Sequence, residues 1–95
     1  MPYLEIEDIV KTDKPNEIHV YAKIYFKNFL EKITKTPTAS LVFYIEKTES
    51  GALRLFRTVG LQNFGGIKKD ENKYLSEETA AAIRKKYKEL YGEDL

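Results

Sequence analysis

The chain has 95 residues and a formal net charge of +1, with 16 Lys and Arg against 15 Asp and Glu, and it contains no cysteine. This length predicts a single domain, residues 1–95, and the missing cysteines exclude disulfides, thiolate zinc sites, iron–sulfur clusters and cysteine nucleophiles. Because the charge is near zero, no overall field draws the chain toward nucleic acid or a membrane. No apolar run is long enough to span a bilayer and the first residues lack a signal-peptide pattern, so we expect a cytoplasmic protein that does not enter membranes.

Residues 3–10 and 17–27 are predicted to form two strands, because apolar and polar side chains alternate along both segments. Leu4 and Ile6 would face inward in the first strand. The outward-facing side chains of the second are His19, Tyr21, Lys23, Tyr25 and Lys27. Residues 28–36 interrupt the alternation, and their conformation stays open between a bulged strand and a short helical turn.

Residues 41–47 and 52–59 carry the clearest local signal, a β-hairpin whose three-residue turn ends at Gly51 in the left-handed conformation. This turn sets four pairs: Ile45 with Leu55, Glu46 with Arg54, Tyr44 with Phe56, and Leu41 with Val59. The same register leaves Phe43 opposite Arg57, which is the one poorly matched pair.

Residues 60–75 lack a hydrophobic period and are predicted to be a long loop, a kind of segment that often carries function. Two glycines followed by lysines are a pattern found in nests, where backbone N–H groups bind phosphate. Its candidate residues are Phe64, Gly65, Gly66, Lys68 and Lys69. The alternative is a crossover connection in which Phe64 and Ile67 fill gaps in the core.

Residues 76–91 are predicted to form the only helix, with Ser76 as its N-cap and Gly92 closing its C-terminus. Its apolar stripe contains Ala80, Ile83, Tyr87 and Leu90. The predicted fold is therefore an α+β domain. It consists of a four-stranded, mainly antiparallel, meander-like sheet in the order 1-2-3-4, with the C-terminal helix packed on one face.

One helix covers only one face of such a sheet, so the other face is the candidate binding surface. Its predicted binding residues are Tyr21, Lys23, Tyr25, Lys27, Tyr44, Arg54 and Phe56. Aromatic and arginine side chains are enriched at protein interfaces, which favours a protein-interaction or self-assembly module acting through this face or an edge strand, and a homo-oligomer.

The same combination of rings and cations would also suit single-stranded nucleic acid, whose bases stack on aromatic side chains. The predicted plan of four strands and a helix resembles the layout of the Pur-repeat and Whirly single-strand binders. A third interpretation is a designed chain without a biological role, because the capped helix follows idealised design rules. The irregular residues 28–36 and 60–75 argue against that origin.

Catalytic and metal sites find little support in the sequence. His19 is the only imidazole, and the serines fall at a strand start, a turn and a helix cap. Glu5 and Glu7 share one strand face, as a cation site would require, but solvated strand carboxylates are far more common. We therefore expect a non-enzymatic binding domain without a metal or cofactor.

Overall fold

The computed structural model describes residues 3–25, 39–61 and 68–95, which form five strands and one helix. The strands are β1 (Tyr3–Lys11), β2 (Glu17–Tyr25), β3 (Ala39–Lys47), β4 (Leu53–Leu61) and β5 (Lys68–Tyr74), and the helix is α1 (Glu77–Tyr91). Each strand pairs antiparallel with the next, in the order β1-β2-β3-β4-β5. The predicted α+β class, the meander order and the C-terminal helix are confirmed.

The predicted loop 60–75 is wrong over most of the part that the structure describes. Gly60 and Leu61 extend β4, and Lys68–Tyr74 is a fifth strand on the edge of the sheet. Most side chains of β5 are exposed, so burial imposes no alternation of apolar and polar residues on it. Residues 62–67 lie outside the described residues, as do residues 28–36 and the last two positions of the predicted second strand.

A β-bulge in β1 sets which of its side chains enter the core. Ile6 pairs with Ala22 and Asp8 pairs with Tyr21, so Glu7 is an extra residue on β1. The extra residue reverses the alternation. As a result Ile9, three positions after Ile6, also faces inward and is fully buried.

The hairpin register is confirmed beside the turn and wrong beyond it. Gly51 has a φ of 87°, and the predicted pairs of Ile45 with Leu55 and Glu46 with Arg54 are present. The register then shifts by one residue at Phe56. The resulting pairs are Tyr44 with Arg57, Phe43 with Thr58, Val42 with Val59 and Leu41 with Gly60. This bulge removes the mismatch of Phe43 with Arg57, because it moves a threonine opposite the phenylalanine.

The hydrophobic core lies between α1 and the face of the sheet that it covers, here called the inner face. Its buried members are Ile9, Ile18, Val20, Ile45, Leu53 and Leu55 from the sheet, with Ile83 and Tyr87 from the helix. The predicted stripe is therefore correct at Ile83 and Tyr87, whereas Leu90 is 43% exposed. Burial of the apolar stripe against the sheet stabilises the helix more than its intrinsic propensity does.

Polar contacts hold both ends of α1 in place. The Ser76 hydroxyl accepts a hydrogen bond from the Thr79 N–H at 3.2 Å, and Gly92 adopts the left-handed conformation with a φ of 70°. Beyond the helix, Lys11 Nζ lies 2.6 Å from Glu93 Oε1. The hydroxyl of Tyr91 donates to the Ile9 carbonyl. The helix therefore crosses the inner face from the β4–β5 side to β1.

Candidate interaction surface

The face of the sheet opposite α1, here called the outer face, has a buried end and an open end. Residues paired across neighbouring strands point to the same side, which assigns each side chain to a face. At one end Tyr25, Val42 and Ser40 are 0%, 5% and 7% exposed. The rest of this face, the open end, carries the exposed or half-buried apolar side chains of Val10, Tyr21, Tyr44, Phe56 and Tyr74. A partner can therefore reach the open end.

Aromatic rings on the open end pack against one another. The His19 ring stacks on Tyr44 with centroids 3.9 Å apart and planes 16° apart. Tyr44 in turn meets Phe56 edge to face, at 6.0 Å and 74°. The guanidinium of Arg57 lies 5.9 Å from the Tyr44 ring, and that of Arg54 lies 5.7 Å from the Phe56 ring. These contacts hold the cluster in one arrangement before any partner arrives.

The outer-face cations are largely neutralised by neighbouring carboxylates. Among the described residues, three Lys or Arg side chains of this face form ion pairs: Lys23 Nζ with Glu7 Oε2 at 3.2 Å, Arg54 Nη2 with Glu46 Oε1 at 2.9 Å, and Arg57 Nε with Asp70 Oδ1 at 3.0 Å. Arg54 also donates to the Asn72 side chain at 3.2 Å. The surface around the rings is thus close to electroneutral.

Charge is nevertheless segregated across the outer face. One cross-strand row runs Asp8, Tyr21, Val42, Val59 and Lys68 from β1 to β5. It begins with an acid on one edge strand, passes through apolar side chains, of which the central Val42 is buried, and ends with a base on the other edge strand. The row therefore has opposite charges at its two ends.

The single histidine belongs to the aromatic cluster. Its Nε2 lies 2.9 Å from Glu17 Oε2, and its ring is covered by Tyr44. Ser76 serves as the helix cap, and the Ser50 hydroxyl bonds Thr48 in the hairpin turn. Within residues 3–25, 39–61 and 68–95, no three His, Asp or Glu side chains come together as a metal site requires.

Tyr25 illustrates the difference between the two ends of the outer face. Its side chain is fully buried, and its hydroxyl has no hydrogen-bond partner among the described residues. Burial raises the pKa of this hydroxyl, and the carboxylate of Glu5 adds to the rise. A buried ring of this kind stabilises the fold, and Tyr25 therefore does not belong to the exposed part of the outer face.

The remaining predicted surface residues have separate outcomes. Tyr21, Lys23, Tyr44, Arg54 and Phe56 all lie on the outer face, where the alternation placed them. Lys27 lies outside the described residues. Lys23 and Arg54 are held in ion pairs, and the pair of Arg54 with Glu46 is the one that the hairpin register predicted.

Of the predicted loop site, the structure describes only Lys68 and Lys69. Phe64, Gly65 and Gly66 lie outside the described residues. Lys68 and Lys69 belong to β5, where they pair with Val59 and Thr58 and so point to opposite faces. Lys69 Nζ lies 3.7 Å from Glu71 Oε1.

Sequence reasoning missed several members of the outer face, among them Val10, Arg57, Val59 and Tyr74. The bulge at Glu7 turns Val10 outward, where it is 40% exposed. Tyr74, which is 65% exposed, belongs to the unrecognised strand β5. The mismatch of Phe43 with Arg57 was the one available signal that the register had to shift near Arg57.

The helix α1 is neither long nor apolar enough to cross a bilayer, and it is the only helix in the described residues.

The candidate surface is one face of a folded sheet, with rings at its middle and paired charges around them. Comparison of the chain with protein-family models, curated proteins and solved structures found no match.

Proposed function

We propose that this chain is a self-assembly module that forms a homodimer through its outer face, centred on the exposed rings of the open end. The observation that supports this proposal is the row from Asp8 to Lys68, in which apolar side chains separate an acid from a base. Dimers with twofold symmetry bring the same patch of both copies together, so the patch must complement itself. A patch with opposite charges at its two edges meets that condition.

A twofold axis parallel to the strands and passing over β3 gives the complementary arrangement. It lays β1 of one copy over β5 of the other while keeping each cross-strand row in register. Asp8 then faces Lys68 of the second copy, and Tyr21 faces Val59. Tyr44 lies near the axis, where it meets its own counterpart. Aromatic side chains at the centre and charges at the rim are the usual composition of a protein interface.

The ion pairs favour a protein partner over single-stranded nucleic acid. Strong binding of phosphates requires Lys and Arg that can replace counterions. On this face Lys23, Arg54 and Arg57 already have carboxylate partners. A protein surface can accept these charge pairs as they stand, whereas an oligonucleotide would have to displace the carboxylates.

The geometry also favours the face over an edge strand. The β5 edge consists largely of exposed charged residues, a composition that discourages edge-to-edge pairing. The other edge strand, β1, is interrupted by the bulge at Glu7.

Sedimentation velocity over a range of protein concentrations tests the proposal. The wild type should form a discrete dimer. Truncating a ring at the centre of an interface typically weakens binding by roughly 30-fold or more, so Tyr44→Ala and Phe56→Ala should each shift the protein to monomer. Leu90→Ala is the matched control, because Leu90 is 43% exposed on the helix. A wild-type monomer, or dimers that survive both ring truncations, would contradict the proposal.

A charge exchange tests the arrangement of the two copies. Asp8→Lys should weaken the dimer, because it places two like charges opposite each other. Adding Lys68→Asp to the same chain should restore much of the affinity, since the opposite charges face each other again. If the double variant is as weak as Asp8→Lys alone, the copies are not related by this twofold axis.

A dye-labelled single-stranded oligonucleotide added to the same runs separates the two candidate functions. The dimer should sediment without the dye at low and at moderate salt. Dye that sediments with the protein at low salt and is released as salt rises would instead identify nucleic acid as the partner.

A further inference from the structure

A cavity of about 280 Å³ lies on the inner face, between the sheet and the N-terminal half of α1. Ten of its twelve described lining residues are apolar, among them Ala22, Ile24, Phe43 and Ile83. Protein interiors are normally packed with few voids larger than a water molecule. An opening of this size in so small a core therefore has room for a ligand.

The two polar lining residues are Lys73 and Thr79, on β5 and on the first turns of α1. Lys73 pairs with Leu55, so its side chain is on the inner face, and it is exposed to solvent. No carboxylate of residues 3–25, 39–61 or 68–95 forms an ion pair with it, in contrast to Lys23, Arg54 and Arg57 on the other face. The cavity is thus an apolar chamber with one unneutralised cation at its rim.

We propose that this cavity binds a saturated medium-chain monocarboxylate, with its alkyl chain between sheet and helix and its carboxylate at Lys73. A dry apolar cavity of about 150 Å³ accommodates benzene, so this one holds roughly ten carbon atoms. The apolar lining suits an alkyl chain and offers no partner for a second polar group. The ammonium of Lys73 supplies a charge-assisted hydrogen bond to the head group. The site is separate from the proposed dimer surface, which lies on the opposite face of the sheet.

Isothermal titration with decanoate, kept below its micelle concentration, tests the proposal on the full chain. Decanol and decyltrimethylammonium are the matched probes, with the same chain and a neutral or cationic head. Decanoate should bind at least about tenfold more tightly than decanol, because only the acid gains a charged hydrogen bond. The cationic probe should bind most weakly of the three.

Lys73→Met removes the charge and keeps the apolar stem, so it should make the affinities for decanoate and decanol equal. Lys85→Met is the matched control. It makes the same change at an exposed position of α1 that does not line the cavity, so the preference for the acid should persist. If both variants behave alike, Lys73 is not the head-group site and the proposal fails.

Ala22→Leu fills the cavity from the sheet side and should abolish binding of both decanoate and decanol. Because a larger side chain can also disturb packing, circular dichroism should first show that this variant is folded. The wild type supplies an independent measurement, since nuclear Overhauser contacts should connect the alkyl chain of decanoate with the Ile83 methyl groups. Absence of binding up to about 1 mM, which is the weak end of specific affinities, would overturn the proposal. Binding without those contacts would overturn it as well.

Discussion

The inner and outer faces of this sheet are built by alternate residues of the same strands, yet they achieve burial in different ways. On the inner face Ile9, Val20 and Ile45 are at most 1% exposed, because α1 covers them. On the open end of the outer face, Tyr44 and Phe56 are half-buried and are covered mainly by neighbouring rings and guanidinium groups.

This difference follows from the type of side chain on each face. Branched aliphatic side chains present an even apolar surface onto which a helix with Ile83 and Tyr87 can pack. The outer face mixes aromatic rings with charged groups, and the apolar stripe of a helix would bury those charges without offering them polar partners, which costs free energy. The rings instead pack against one another and against the guanidinium groups of ion-paired arginines, which remain in contact with water.

The largest expected effect tests the inner face. Ile83 is 2% exposed in the core, and Ile83→Ala should lower the free energy of unfolding by about 2–5 kcal/mol, because it removes buried methyl groups and leaves a void. Leu90→Ala on the same helix should change it by less than about 0.5 kcal/mol. Urea unfolding of the two variants measures both values. Equal effects would mean that α1 is not held to the sheet through its apolar stripe.

The next effect concerns the buried end of the outer face. Because the Tyr25 hydroxyl is buried without a partner among the described residues, Tyr25→Phe should stabilise the protein by up to about 1–3 kcal/mol at neutral pH. The control is Tyr21→Phe on the same strand and face, where the side chain is 37% exposed and little change is expected. Chemical unfolding that shows Tyr25→Phe to be clearly destabilised would mean that the hydroxyl has a hydrogen-bond partner.

The same substitution has a pH signature. Because burial raises the pKa of Tyr25 above its usual value of 10.0, the folded state holds the hydroxyl proton more tightly than the unfolded state does. The stability of the wild type is therefore unaffected by this group below pH 10.0 and falls as pH rises through the raised pKa. Tyr25→Phe should therefore unfold at higher alkaline pH than the wild type.

A smaller effect tests the aromatic cluster. The stacking of His19 on Tyr44 should appear as a coupling of about 0.5–1.5 kcal/mol in a double-mutant cycle of His19→Ala and Tyr44→Ala. The cycle should be measured by urea unfolding at concentrations where the protein is monomeric. A second cycle of His19→Ala with Tyr74→Ala serves as the control, since Tyr74 is 65% exposed on the far edge strand. Similar coupling in both cycles would argue against a specific stacked pair.

The smallest effect concerns the polar contact that fastens α1 to β1. Side-chain hydrogen bonds lower the pKa of Glu93 below its usual value of 4.5, and the bond with Lys11 contributes more than the bond with Tyr87. A carboxylate with a lowered pKa contributes stability above its unfolded pKa, and that stability is lost as pH falls through the lowered value. Glu93 in turn raises the pKa of Lys11 above its usual value of 10.5. The stability that Lys11 contributes is therefore complete below pH 10.5 and is lost as pH rises through the raised value.

Glu93→Gln should therefore be slightly less stable than the wild type at neutral pH and equal to it in strong acid. Urea midpoints measured between neutral and strongly acidic pH check this expectation. A deficit that persists unchanged in acid would show that the variant loses a contact other than the ion pair.

The candidate surface could be predicted only in part from the sequence. Tyr44, Phe56 and Arg54 lie on the predicted face because the alternation along β3 and β4 is strong. The burial of Tyr25 was not predictable, because a tyrosine on an outward position of a strand has the same sequence pattern whether it is covered or open. The ion pair of Lys23 with Glu7 joins two strands and depends on the β1 bulge.

The sequence by itself determined the features that depend on neighbouring residues along the chain. These are the alternation of the first four strands, the hairpin turn at Gly51, and the capping of α1 by Ser76 and Gly92. Each rests on a local physical preference: a period of two where one face is buried, a positive φ at glycine, and a hydroxyl for a free N–H.

Only the tertiary structure decided the remaining features: the strand β5, the register shifts at Glu7 and Phe56, the pairing of the outer-face charges and the cavity at Lys73. An exposed edge strand has no buried face to impose a pattern on its sequence. The position of a bulge is determined by the packing of both neighbouring strands. The size of a cavity depends on the distance between a helix and a sheet. These features arise from contacts between residues that are distant in the chain, which local preferences cannot specify.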